Sequence, residues 1–168
     1  MNNNNIKLYE NLALTNSSFN KNFIKNFKKI LSTGMYINGT FRIKLEQKFA
    51  EFIGTNYSVG VSNGLDGLIL ALNTLKILKK NKKNLNEVIV PANTYIASIL
   101  SIIHAGLKPI LVEPKISDYN IDIDLAKKKI TKNTLAIMPV HLYGRPVDYK
   151  KLNFFKKKKN LRNRRCFT

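Results

Sequence analysis

Three short stretches carry residue types that could act together on a ligand: Asn63-Gly64-Leu65-Asp66, Asn93-Thr94-Tyr95 and His141. The first lies inside Tyr57–Leu72, YSVGVSNGLDGLILAL. There, β-branched residues at Val59 and Val61 read as an extended run and Ser62-Asn63-Gly64 breaks it. Leu65, Leu68, Ile69 and Leu72 then resume at helical spacing. A helix that starts at a glycine turn points unpaired N–H groups, and the positive end of its dipole, at one spot. A phosphate suits that spot. The same pattern also fits a plain tight turn in which Asp66 complements the dipole, because strand–glycine–helix turns occur widely with nothing bound. Tyr95 offers an aromatic face and His141 an imidazole, and each alone also reads as a core or hydrogen-bonded structural residue. Taken together, the three could surround a flat phosphorylated cofactor.

The surrounding pattern says what positions them. Glu87–Pro91, Pro109–Val112 and Leu135–Val140 are short apolar runs that read as buried strands. Apolar helices fill the intervals at Leu65–Leu78 and Ile96–Ile103, with a shorter one at Leu125–Ile130. Strands alternating with helices, each strand nearly continuous in apolar character, imply a parallel sheet covered on both faces. Ligands of such sheets sit beyond the strand C-termini, where the three stretches fall. Two further helices precede the first strand. One carries Phe23, Phe27, Ile30 and Leu31, is expected to be capped by Ser17-Ser18 and is stopped by Gly34. The other carries Phe41, Leu45, Phe49 and Phe52 and ends at Gly54. His104 falls inside an apolar helix and reads as structural.

The chain has 168 residues, 44% of them hydrophobic, enough for one domain with a real core. No apolar run reaches membrane-spanning length and no leader pattern opens the chain, so a cytoplasmic protein is expected. A lone Cys166 excludes an internal disulfide framework. The net charge of +19 raises a nucleic-acid reading. The positive residues are mostly lysines scattered along the chain, without interleaved aromatics, and they accompany abundant Asn and Ile. An A/T-rich gene accounts for that composition better than a polyanion partner does.

The order VSNGLDGLILAL, EVIVPANTYIAS, AGLKPILVEP, DYNID and IMPVHLYGRP resembles the DegT/DnrJ/StrS sugar aminotransferases, collinearly from Tyr36 to about Leu152. The resemblance implies the N-terminal part of the large domain of a pyridoxal-phosphate-dependent transferase, over residues 1–152. It implies that Gly64, Leu65 and Asp66 form the turn whose amides hold the cofactor phosphate. Many relatives have threonine in place of Leu65, so a hydroxyl contact would be missing here. Tyr95 matches the aromatic that stacks on the pyridine ring, and His141 lies near the ring at a strand end. The implied reaction moves an amino group from glutamate to a nucleotide-linked keto sugar, for surface polysaccharide, in a homodimer.

Two motifs of that family are missing: the SFxxxKxLG-like segment with the Schiff-base lysine, and the EDAAQ-like strand whose aspartate partners the pyridine nitrogen. Asp148 reads as a helix cap and cannot replace that aspartate. The lysines of 150–159 lack the apolar pocket that a Schiff-base lysine needs. The expectation is therefore an incomplete large domain, inactive alone, with a non-enzymatic cofactor- or partner-binding remnant as the alternative. Residues 153–168 form a basic tail. Its end, Arg162-Asn163-Arg164-Arg165-Cys166-Phe167-Thr168, can be written AGA AAT AGA AGA TGC TTC ACA. Read one base later, those letters encode Glu-Ile-Glu-Asp-Ala-Ser, close to the missing carboxylate motif. A frameshift at an adenine run over Lys156–Lys159 would explain the tail.

Overall fold

The computed structural model describes residues 11–79, 84–148 and 150–152. The expected basic tail lies outside these residues, as does the lysine-rich stretch 80–83. The chain divides into two units, Met1–Gly60 and Val61–Thr168.

In the first unit Asn11 caps α1 (Leu12–Asn16), its side chain accepting from the Leu14 amide at 3.0 Å. A 3-10 turn, Ser17–Phe19, leads into α2 (Asn20–Thr33), which begins without a side-chain cap. Ser17-Ser18 is thus not the cap of α2. The chain is already helical there, and Ser17 Oγ donates back to the Leu14 carbonyl at 2.7 Å. Gly34 at φ 65° ends α2 and Gly54 at φ 75° ends α3 (Thr40–Ile53), both in the left-handed region that glycine enters without a Cβ clash. Glu46 on α3 accepts from the Gly60 N–H at 2.7 Å and from Arg42 Nη1 at 2.5 Å. The Gly60 bond first, then Arg42, holds its carboxyl below the ordinary value. Little else in this unit is enclosed. Along α1–α3 only Ala50 is buried, while Phe27 is 60% and Phe52 84% exposed.

The second unit is built on a parallel sheet. Among the described residues it has three strands in the order β2-β1-β3: β1 is Glu87–Pro91, β2 Lys108–Val112 and β3 Thr134–Ile137. Glu87 pairs with Lys108 and Pro91 with Val112, while on the other side Ile89 pairs with Ile137. Val88, Ile89 and Val90 are fully buried, as a central parallel strand requires. Alternation sends them to opposite faces. Val88 and Val90 pack with Leu135 and Met138 against Leu72 and Leu75 of α4 (Gly64–Leu78) and Ile102 of α5 (Ile96–His104). Ile89 and Val112 pack against Ile121, Ile123 and Ala126 at α6 (Ile123–Lys128), together with Val147 and Leu152. Asp122 caps α6, accepting from the Asp124 and Leu125 amides. Asp148 likewise accepts from the amides of Lys150 and Lys151, which is the capping role expected of it.

Tyr57–Val61 is a correction. The residues are not part of a strand, and Tyr57 and Val59 are exposed. β-branched composition favours extension, but a strand persists only with a neighbour to complete its ladder, and none is present among the described residues. Ile96 and Ile103 of α5 are about half exposed, whereas Ile99 between them packs against the core.

Candidate functional site

The phosphate-type turn is built by its cap. Asn63, in extended conformation, accepts the Asp66 amide on its side chain at 2.9 Å and the Gly67 amide on its carbonyl at 3.2 Å. The Asp66 carboxylate turns back and accepts from Ser62 Oγ and, at 3.0 Å, from Asn63 Nδ2. These bonds consume the Asp66 amide. The amides of Gly64 and Leu65 remain, with no partner among the described residues. A Cβ at Gly64 would meet nothing within 4 Å, and Gly64 itself is exposed. They cap fifteen residues of helix, whose dipole adds to their own positive ends.

Tyr95 is the residue before α5 and its side chain is 77% exposed. Its ring is available for stacking rather than consumed by the core. The registration of α4 and α5 places it. The two helices pack together, and near their C-termini Lys76 Nζ donates to the Ala105 carbonyl at 2.5 Å. Counting back at 1.5 Å per residue, Gly64 lies about 18 Å before Lys76 and Tyr95 about 15 Å before Ala105. Both helices therefore begin about equally far from that bond.

His141 follows β3, beside β1, at the C-terminal edge of the sheet. It is half-buried, and its Nδ1 accepts from the Val147 N–H at 3.0 Å. That bond directs Nδ1 inward and leaves Nε2 as the nitrogen that can reach a ligand. The chain leaving β1 enters α5 on one face of the sheet. The chain leaving β3 reaches Val147 and Leu152 on the other. Adjacent parallel strands whose exits diverge to opposite faces open a crevice between them, the usual ligand position in such sheets. Tyr95 follows β1 and His141 follows β3 at this position. His104, by contrast, is exposed in the last turn of α5, away from this edge.

One residue at this edge, Asn120, is not among the candidates that the sequence offers. Asn120 is buried and bonded to the loop after His141, and Asn93 Nδ2 donates to the Tyr119 carbonyl at 2.9 Å. The available signal was an amide side chain enclosed by Tyr119 and Ile121, since buried polar groups in an apolar context need partners.

Fold and site together define a parallel α/β protein with an anion-ready helix start and an aromatic ring at one sheet edge. The chain belongs to the DegT/DnrJ/EryC1/StrS aminotransferase family, whose model matches residues 17–162. It is 44% identical over 151 residues to a dTDP-3-amino-3,6-dideoxy-α-D-galactopyranose transaminase of Aneurinibacillus thermoaerophilus, covering 90% of this chain and 40% of that protein. The crystal structure of S. venezuelae DesV superposes with a TM-score of 0.77 at 32% identity, covering 88% of this chain and 38% of that one. The E. coli GDP-4-keto-6-deoxy-D-mannose-3-dehydratase with bound hydrated PLP gives 0.73 at 30% identity, covering 82% and 36%. The chain thus spans about two fifths of the length of the relatives it matches. Among the described residues no helix is long and apolar enough to cross a membrane.

Proposed function

We propose that this chain carries the phosphate- and ring-binding half of a pyridoxal-phosphate site from a nucleotide-sugar aminotransferase. The observation that carries the reading is the pair of unpartnered amides at Gly64 and Leu65, at the start of a helix packed against the one that follows the exposed Tyr95 ring. The residues fit the group. Two N–H donors beginning at the exposed Gly64 suit phosphate oxygens, an exposed ring suits a flat heterocycle, and His141 offers Nε2 beyond the end of β3. Pyridoxal phosphate, when bound, supplies the electron sink for amino transfer. The chain's own residues anchor and orient it. The amino donor would be glutamate and the acceptor a nucleotide-linked keto sugar, in a homodimer. Amino transfer is favoured over dehydration because the 44%-identical relative is a transaminase.

The missing lysine and carboxylate segments make the chain alone a binder without turnover. Titration with pyridoxal phosphate should show weak, reversible binding, and borohydride should fix no stoichiometric adduct at one lysine. Glutamate-dependent amination of a nucleotide-keto-sugar by the purified chain would overturn this. Gly64→Pro sharpens the test. Asn63 is already extended and the first helical position tolerates proline, so the variant deletes one amide without breaking α4. It should weaken cofactor binding by roughly tenfold or more, the loss of one charge-assisted hydrogen bond. Its thermal transition should stay at or above that of the parent chain. The frameshift reading of residues 162–168 is settled by the gene, whose shifted frame should continue into an SFxxxKxLG-like segment.

A further inference from the structure

The loops beyond the three strands are held by one buried amide. Asn120 is 4% exposed and every polar group it has is used. Its N–H donates to Asp118 Oδ1 at 3.0 Å, and its carbonyl accepts from the Lys115 amide at 2.9 Å. Its Nδ2 donates to the Arg145 carbonyl at 3.2 Å, and its Oδ1 accepts from the Leu142 amide at a longer 3.4 Å. The side chain therefore grips the 3-10 turn Leu142–Gly144 from both ends. One residue earlier, the Tyr119 carbonyl accepts from Asn93 Nδ2, two residues before Tyr95.

The backbone on both sides of this grip is strained. Tyr119 at φ 56° and Tyr143 at φ 53° occupy the left-handed region that a bulky residue seldom enters. Such conformations persist where the surroundings over-determine them. The turn in question starts from His141, whose Nδ1 bond to Val147 spans it. An apolar residue at 120 could fill the space but could not hold both ends of the turn.

We propose that Asn120 is a positioning residue, which sets His141 beyond the end of β3 and, through Asn93, the entry to α5 with Tyr95 beyond the end of β1. What the crevice binds rests on the function proposed above. The placement of His141 does not.

Asn120→Ala in the full chain tests it by three readouts. Imidazole 1H–15N spectra separate the two histidines, with His104 at the far end of α5 as the reference. In the parent chain His141 should show a single tautomer with hydrogen on Nε2. In the variant its signals should move towards a tautomer average while those of His104 stay in place. Exchange of the Val147 amide should quicken by about tenfold or more as the turn opens locally. Pyridoxal-phosphate affinity should fall at least about fivefold, as expected for a misplaced polar contact. Unmoved His141 signals and unaltered Val147 exchange would overturn the proposal, as would His104 and His141 shifting together, which marks a general loss of core. If the alanine variant does not fold, Asn120→Asp decides. It keeps an oxygen for Leu142 and loses the donor to Arg145, so a displaced His141 beside an unmoved His104 supports the proposal and an unmoved His141 overturns it. A parent chain that binds no pyridoxal phosphate would sink the proposed function, and the histidine spectra would still decide the role of Asn120.

Discussion

The two units of this chain form helices equally well and enclose them very differently. In the second, α4, α5 and α6 close over both faces of a sheet whose central strand is wholly buried. In the first, α2 and α3 have comparable length and clear stops, yet only Ala50 is out of solvent. Capping, glycine stops and apolar spacing are local and suffice to write a helix. Burial is the larger stabilising effect, and it depends on what lies across from the apolar face. The helices of the first unit carry an exposed apolar face, whereas the second unit carries a core.

That contrast can be broken most directly at Ile102, which is fully buried in the core beneath α5. Ile102→Ala should cost about 2–5 kcal/mol through lost burial and the cavity left behind, measured by denaturant unfolding. Asn63→Ala should cost about 1 kcal/mol by releasing the Asp66 amide, and it tests whether the start of α4 is set by its cap. Phe27→Ser on α2 should change stability by no more than about 0.5 kcal/mol. The same substitution should reduce self-association in sedimentation, because exposed aromatic faces invite contact between copies. If Phe27→Ser costs as much as Ile102→Ala, the face is covered in solution and the contrast fails.

The smallest effect is a pH dependence at Glu46. Its carboxyl is held below the ordinary value by the Gly60 N–H and Arg42, so folding favours the charged form. The contribution is fully present above the unfolded value of 4.5 and is lost as pH falls through the lower folded one. Circular dichroism followed downward from pH 6 should show this loss in the parent chain and not in Glu46→Gln. Because Glu46 is half-buried at the surface and its partner Arg42 is exposed, the change should be slight.

Much of this was open to reading in the chain itself. Gly34 and Gly54 mark helix ends because glycine enters the left-handed region freely, and both stops stand where the spacing put them. Val88-Ile89-Val90 announces a strand buried on both faces, and the alternation of strands with helices announces the parallel sheet. Tyr95 and His141 were legible as residue types beyond the ends of β1 and β3, whereas Gly64 was legible only as a helix start, since no strand precedes it. Ser17-Ser18 misled because a hydroxyl can serve either a cap or a preceding carbonyl, and only the backbone path selects one.

Local sequence therefore determined where elements begin and end, since caps, stops and periodicity act within a few residues. Tertiary structure decided the rest. It left Tyr57–Val61 without a ladder, although its composition is that of a strand. It spent the Asp66 amide on the Asn63 cap and left those of Gly64 and Leu65 without partners. It joined the C-terminal ends of α4 and α5 through the Lys76–Ala105 bond, and it turned His141 Nδ1 onto Val147. Each of these is a choice of partner, and a partner is fixed by where the rest of the chain places its own donors and acceptors.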